Sequence, residues 1–489
     1  MRARRPESRP CWAALNPGMT LMEKLPMNRR QFIGTSLGAL AAAGLHPGRN
    51  AFGAGTARPN ILFIMTDQQF AGALGCAGNA DVKTPAMDGL AANGARFERA
   101  YCANPLCVPS RTVMLTGKMP HETGITRNID AKSETFRTPL LGRFFTDAGY
   151  DCGYAGKWHL PLELSQKDVH GFGWFPKGGE KCPDAKIPAA AAEFFGQKRE
   201  KPFLFVASFI NPHDICQWAR GDALPHGPIP DPPPPEQCPA LPGNFAIPEH
   251  EPDVIRKVQH SSKSVYPTVD WAPDRWRQYR WAYYRLVEKV DALIGQLLDA
   301  LRASGQEENT LIVFTADHGD GTAAHHWNQK QVLYEETTRV PFILGGKAFA
   351  KAGTVDREHL VSTGLDLIPT LCDYAGIAAP DGLQGRSVRP LAEGKAPDKW
   401  RDDLVVETQF EYEGHATGIR GRVLRTQRHK YIVYSEGTLR EQLFDMETDP
   451  GETTNLAVDP EKKALLEECR TRLAQWCRET GDVFEIPNG

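Results

Sequence analysis

The chain has 489 residues, with 57 Lys and Arg against 60 Asp and Glu, for a formal net charge of −3. Balanced charge excludes a nucleic-acid binder held by bulk electrostatics. With 41% apolar, 24% charged and 9% aromatic residues, a disordered, collagen-like or multi-span membrane chain is also excluded. The length suits two or three domains, or one large α/β unit with a small appendage. Eleven Cys occur without a C-x-x-C pair, which removes the zinc-ribbon and thioredoxin readings.

The first predicted element is a targeting segment. Arg29 and Arg30 directly precede a short apolar run at 32–43, and small residues follow at 51–57. That order is the order of a bacterial export signal, and the paired arginines favour the twin-arginine export machinery. The run is far shorter than the ~20 apolar residues of a membrane span and contains Gly34 and Gly38, so no stable membrane insertion is expected. Residues 1–57 are therefore expected to direct export to the periplasm or the medium, with Met27 the better start of translation.

Beyond the signal, continuous apolar runs end in polar residues. Residues 60–66 lead into Asp67 and Gln68; 150–155 into Gly156, Lys157 and His159; 202–210 into Asn211, His213 and Asp214; 310–316 into Asp317, His318 and Asp320. Such runs are the mark of strands buried on both faces. Helical patterns lie between them at 85–97, 139–148 and 277–304. In the last, Leu286, Val290, Leu293, Ile294, Leu297 and Leu301 share one face. The alternation predicts an α/β fold, a large mostly parallel sheet flanked by helices on both faces. Ligands of such a sheet bind at the carboxyl edge of its strands, where Asp67, Lys157, His159, His213, Asp317 and His318 should converge. Any one of them alone reads more simply as a turn former or helix cap; four strand ends carrying such groups do not.

Residues 222–252 are proline-rich and read as an extended surface excursion. From about residue 395 the pattern changes to short strands at 404–409, 423–426, 430–434 and 441–444 and a helix at 460–480. This predicts a small C-terminal α+β subdomain with an antiparallel sheet, spanning 395–489 behind a catalytic domain of 58–394.

The central motif is Cys107-Val108-Pro109-Ser110-Arg111. A helix opening at Pro109 would place Cys107 near its N-terminus, which favours an anion, and Arg111 adds a permanent charge. On physics alone this is a cysteine beside an anion site, and a thiolate phosphatase fits equally well. The motif resembles the C-x-P-S-R signature of the type I sulfatases of the alkaline phosphatase superfamily, in which the cysteine becomes Cα-formylglycine. Further segments resemble that family in order: 58–68 with Asp67, GKWH ending at His159, NPHD ending at Asp214, ADHGD ending at Asp320, 330–341 beginning with Lys330, and 443–456.

The resemblance implies a sulfatase acting on sulfate esters, a sulfated carbohydrate being the substrate that export favours. It implies Cys107 oxidised by a formylglycine-generating enzyme, and a calcium ion held by Asp67, Gln68, residue 107, Asp317 and His318. Arg111 and Lys157 would hold the hydrated formylglycine, Lys330 and His213 the sulfate and leaving oxygen, and His159 would act as the base that releases sulfate. Gln68 departs from the family, many members of which carry a second aspartate there. A phosphonate monoester or phosphodiester hydrolase of the same superfamily is the enzymatic alternative, and an exported carbohydrate-binding pseudo-sulfatase the non-enzymatic one. The aromatic stretch 271–284 and a loop at 411–420 are candidates for the specificity surface. Cys102 reads as a packed thiol, and His325 and His326 as cleft-lining residues.

Overall fold

Strand β1 (Asn60–Asp67) is buried at every position, as its unbroken apolar run requires of a strand covered on both faces. The computed structural model describes residues 58–487 apart from 134, 180, 181, 264, 413 and 414; the export signal expected at 1–57 lies outside the described residues. In chain order β2 (Ala95–Phe97), β3 (Ala100–Tyr101), β4 (Asp151–Gly156), β5 (Phe203–Pro212), β6 (Thr310–Ala316), β7 (Phe342–Gly345), β8 (Thr354–Asp356) and β9 (Val361–Ser362) follow. Seven of these form one sheet in the order β4-β5-β1-β6-β7-β2-β8, and β3 pairs with β9 separately.

The four central strands run parallel, with Leu62 facing Phe205 on one side and Ile312 on the other. Only β7 runs against the rest of the seven. Side chains of β1 alternate between two cores. Ile61, Phe63 and Met65 pack with Val108 and Leu115, whereas Leu62 and Ile64 pack with Val290, Ile294, Leu297 and Leu301 of the 31-residue helix Pro273–Ala303. Truncating one of these to Ala would cost about 2–5 kcal/mol. Because the central strands are parallel, Asp67, Lys157, His213 and Asp317 all emerge at one sheet edge.

The C-terminal sheet is β10 (Asp403–Tyr412), β11 (His415–Thr426), β12 (His429–Tyr434) and β13 (Glu441–Asp445), antiparallel throughout. One face packs Val405, Leu424, Val433 and Leu443 against Leu466, Cys469 and Leu473 of the helix Lys463–Thr480. The other packs Val406, Phe410, Val423 and Ile432 against Tyr101, Leu333 and Tyr334. The described residues belong to one compact unit. Among them, no helix is long and apolar enough to cross a membrane, and the cysteines are free.

Three expectations shift. The helix expected at 85–97 stops at Ala92, and its tail is β2; Asn93 and Gly94 break it, and a Cβ on Gly94 would lie 2.2 Å from the Leu344 carbonyl of β7. The helix expected to open at Pro109 begins at Cys107 itself, with Leu106 as an extended N-cap. The loop expected at 411–420 is largely the end of the β10–β11 hairpin.

Candidate active site

Arg111 organises the site. It projects from the helix Cys107–Thr116, fully buried, and its fork joins two strand ends: Nη2 lies 2.7 Å from Asp67 Oδ2 and Nε 2.8 Å from Asp317 Oδ2. Nη1 donates to Ser208 Oγ at 2.8 Å and to the Lys157 carbonyl at 3.1 Å. Lys157 Nζ adds a second cation 2.6 Å from Asp67 Oδ2. Burial alone would raise the Asp67 carboxyl, but Lys157, His213, Arg111 and Lys330 outweigh it and hold it well below its usual range. Asp317 goes the other way: burial and the neighbouring Asp67 push it up to about 7.

The Oδ2 atoms are thus held by cations, and the Oδ1 atoms face the remaining groups. Asp67 Oδ1 is 3.7 Å from Cys107 Sγ, which is 3.2 Å from His318 Nε2. Asp317 Oδ1 accepts from the backbone N–H of Gln68 and of His318, at 3.1 and 2.9 Å. His318 Nδ1 meets the Gly319 carbonyl at 2.9 Å, so Nδ1 carries hydrogen and Nε2 is the nitrogen that faces Cys107. Asp67, Cys107, Asp317 and His318 each offer a ligand atom within 4.8 Å of the others. Burial and Asp67 would raise the Cys107 thiol, yet Lys157, Lys330 and His318 hold it well below its usual value.

Lys330 Nζ donates to Cys107 Sγ at 2.9 Å and lies 3.2 Å from His213 Nε2. Burial would lower the Lys330 ammonium, but Cys107 and Asp67 raise it. Burial and the two lysines pull His213 down to about 4. His159, also lowered by burial and Lys157, has a buried Nδ1 without a hydrogen-bond partner. Local backbone shape puts these groups in place. Gly156 has φ +102 and a Cβ there would lie 2.0 Å from the Ser208 carbonyl, so only glycine lets β4 deliver Lys157 so close to β5. His159 itself sits at φ +45, and the segment carrying Lys330 has positive φ at Thr322, Ala323, His325, His326, Gln329 and Gln331. Strain of this kind gathers where a fold must aim side chains.

Gln68, at φ +68, donates its amide nitrogen to Asp320 Oδ2 at 2.7 Å and to Cys216 Sγ at 3.3 Å. Its Oε1 has the Cys216 thiol at 3.6 Å. Asp320, pushed up to about 6 by burial, also accepts from the Tyr279 hydroxyl at 3.0 Å and from the backbone of Thr322 and Gln329.

The structure thus brings all ten sequence-derived candidates to one sheet edge, Gln68 through its backbone contact with Asp317. Sequence reasoning missed Ser208 and Asn128, and it marked the stretches holding Tyr279 and Glu411 only as a specificity surface. Glu411 Oε2 accepts from Asn128 N at 2.9 Å, and Asn128 Oδ1 accepts from Val108 N at 3.0 Å. Ser208 carried a signal, as a hydroxyl in an otherwise apolar strand; Asn128 did not. His325 is fully buried and stacked on Tyr334 with centroids 3.9 Å apart, so it belongs to the core rather than lining a cleft. Cys102 is a buried free thiol, as expected.

Residues 59–377 match the Sulfatase family model, and 323–479 match the model of the N-sulphoglucosamine sulphohydrolase C-terminal region. The chain is 32% identical to a Delta 4,5-hexuronate-2-O-sulfatase of Bacteroides thetaiotaomicron, over 87% of this chain and 90% of that protein. Among solved structures, a 2-O GAG sulfatase superposes with a TM-score of 0.76 at 30% identity, covering 88% of this chain and 95% of the other. A protein solved in complex with its substrate D-glucosamine-2-N,6-O-disulfate gives 0.72 at 25% identity, covering 87% of this chain and 99% of the other. The chain belongs to the type I sulfatases, enzymes that hydrolyse sulfate esters.

Proposed function

We propose that the protein is an exported sulfatase that removes sulfate from carbohydrates, using calcium and a Cys107 oxidised to formylglycine. The observation that carries this reading is the convergence of Cys107 with Asp67, Asp317, His318 and Lys330, which leaves one carboxylate oxygen of each aspartate turned from the cations. The donor set fits a hard cation. Burial and the neighbouring Asp67 drive Asp317 up to about 7, a cost that a bound divalent cation would relieve. Asp67, Asp317, His318 and residue 107 would hold it, with Gln68 Oε1 as a neutral further ligand whose orientation Asp320 fixes through the amide nitrogen. The ion would neutralise sulfate charge and acidify the attacking hydroxyl. Hydrated formylglycine would supply two hydroxyls, one to attack sulfur and one to expel the sulfate afterwards.

The chain's own residues account for the rest. Lys157 and Arg111 keep Asp67 ionised, and Lys330 supplies a fixed positive charge where the sulfate oxygens must sit. With His213 neutral 3.2 Å away, Lys330 would keep its charge and stabilise the leaving oxygen as negative charge develops there, and the imidazole N–H would hydrogen-bond to it. His159, neutral and with a free ring nitrogen, suits the base that takes the proton of the second hydroxyl. Hexuronate and glucosamine sulfates in the relatives' names support a sugar substrate. We further propose that the catalytic domain extends to about residue 394 and that maturation and export use the formylglycine-generating enzyme and the twin-arginine machinery.

Mass spectrometry of the 100–111 peptide from exported protein should find formylglycine at 107. Purified enzyme should show a higher kcat/KM on an aryl or sugar sulfate than on the matched phosphonate monoester. Full activity with an unmodified thiol would end the mechanism. A preference for the phosphonate would move the protein to the phosphonate hydrolases, and binding without turnover of modified protein to the pseudo-sulfatases.

A further inference from the structure

We propose that Arg275, set between Trp218 and Trp271, is a second binding site, outside the catalytic centre, for an anionic group of a glycan chain. The site extends the carbohydrate reading above to substrates longer than one sugar. Arg275 lies in the first turn of the helix Pro273–Ala303, in the aromatic stretch that the sequence marks out. Its guanidinium carbon is 4.2 Å from the Trp218 ring centroid and 5.2 Å from that of Trp271. The two indoles stand nearly perpendicular, at 83° with centroids 6.3 Å apart. The guanidinium therefore sits in a corner walled by two aromatic faces, each of which attracts a cation.

What sets it apart is that, among the described residues, it has no counter-charge and spends only one hydrogen bond. Among the described residues it makes no ion pair, and its hydrogen bond is to a neutral partner, from Nη1 to Gln278 Oε1 at 3.2 Å. Burial lowers its affinity for the proton, and no carboxylate acts against that. Neighbouring guanidiniums of the same helix also lack a carboxylate among the described residues but spend their donors on carbonyls, Arg277 on those of Glu236, Cys238 and Pro239 and Arg280 on that of Thr322. A guanidinium has five N–H donors in one plane, and only one of them is spent here, on Gln278. Such a rigid fork with unpaired donors suits sulfate or carboxylate oxygens.

The corner is tied to the active site through the protein interior. Trp218 follows His213 by five residues on the next helix, Ile215–Arg220. Both indoles pack on the ring of Tyr279, at 6.2 and 6.1 Å, whose hydroxyl holds Asp320. A glycan whose sulfate ester enters the catalytic centre could therefore lay a further anionic unit against this wall.

The test uses the full chain carrying Cys107→Ala, so that no turnover is involved, in affinity electrophoresis through dextran sulfate, hyaluronan and neutral dextran. Retardation by dextran sulfate assigns sulfate to the site and retardation by hyaluronan assigns carboxylate, and neutral dextran should have no effect. Arg275→Gln should weaken the effective polymer at least tenfold, with Arg275→Lys intermediate. In the enzyme with Cys107 intact, Arg275→Gln should leave kcat/KM on a small aryl sulfate within twofold, which also certifies the fold; if it does not, Arg275→Lys carries the comparison. No retardation of the parent protein, equal retardation of the variants, or equal displacement by a DNA oligonucleotide overturns the site. Arg275-dependent binding by a protein that hydrolyses no sulfate would keep the site and reject the sulfatase reading.

Discussion

Two buried clusters in this molecule have nearly the same composition and opposite fates. The catalytic one joins Asp67, Asp317, His318 and Cys107 to Arg111; the other joins Glu407, Asp482 and His121 to Arg422, and its acids and imidazole also lie within 4.8 Å of one another. In the second, Arg422 grips both oxygens of Asp482, at 2.7 and 3.0 Å, and reaches Glu407 Oε2 at 3.4 Å, while His121 Nδ1 takes Glu407 Oε1 at 2.5 Å. Every carboxylate oxygen has a cationic partner. In the first, Arg111 and Lys157 take only the Oδ2 atoms, and the rings nearest the Oδ1 atoms stand farther off, His213 at 3.9 Å from that of Asp67 and His318 at 3.7 Å from that of Asp317. On the function proposed above, what would admit a metal is thus the oxygen that the protein's own cations leave over. Glu407 also donates its backbone N–H to the Ala103 carbonyl just before the nucleophile helix, so the second cluster fastens the C-terminal sheet to the loop that leads into the first.

Breaking the catalytic cluster at its centre should have the largest effect. Arg111→Met leaves two buried carboxylates without their shared partner. We expect a loss of about 3–5 kcal/mol in stability and at least about a thousandfold in kcat. Arg111→Lys should rescue little, since an ammonium cannot span both carboxylates as the fork does. Melting curves and steady-state kinetics together check this, and near-normal turnover in the Lys variant would refute the bridging role. Next comes Lys330→Ala, which removes one charge-assisted contact to the sulfate. A fall of about a hundredfold in kcat/KM, on the order of 3 kcal/mol, is expected with little change in melting temperature.

These expectations also mark what the sequence made legible. The strands β1, β5 and β6 and the polar residues at their ends could be read because an apolar run followed by Asp or His needs no tertiary knowledge. Arg111 was readable from its motif. The short β2 was hidden at the end of a helical pattern, and its identity comes from the pairing with β7 and β8 rather than from its own three residues. The strained segment 322–331 could not be read either, because most of its positive-φ residues are not glycine and only packing holds them there. For the same reason two acid–histidine clusters of like composition cannot be told apart until Arg422 and Arg111 are placed.

Sharpening the comparison from the other side, Arg422→Met should act on stability alone. It leaves Glu407 and Asp482 buried without their cation, for an expected loss of about 3 kcal/mol. The kcat/KM of the protein that remains folded should stay within about threefold of the parent. Calcium should not substitute for the arginine, because His121 still occupies one oxygen of Glu407. Thermal melting with and without calcium measures this. A calcium-dependent rescue of the variant would mean that the leftover oxygen is not the deciding feature.

The smallest effect belongs to His121, and it has a pH signature. Its Nδ1 faces Glu407 Oε1, and its Nε2 lies 3.2 Å from the carbonyl of Thr480. A carbonyl only accepts, so Nε2 carries hydrogen, and pairing with the Glu407 carboxylate asks for hydrogen on Nδ1 as well; the ring is favoured as the imidazolium. Burial would lower its affinity for the proton, but Glu407, with Asp482 behind it, raises it above the usual histidine value. A raised folded-state value means that the stabilisation is fully present below about pH 6.5, where the unfolded chain also holds the proton, and is lost as pH rises through the folded value. His121→Gln should therefore be less stable than the parent by about 1–2 kcal/mol near pH 5.5, with the gap closing toward pH 9. Parallel melting curves across that range test the sign directly: a gap that widens with pH would show that the ring is neutral in the folded protein, and that Arg422 alone neutralises the cluster.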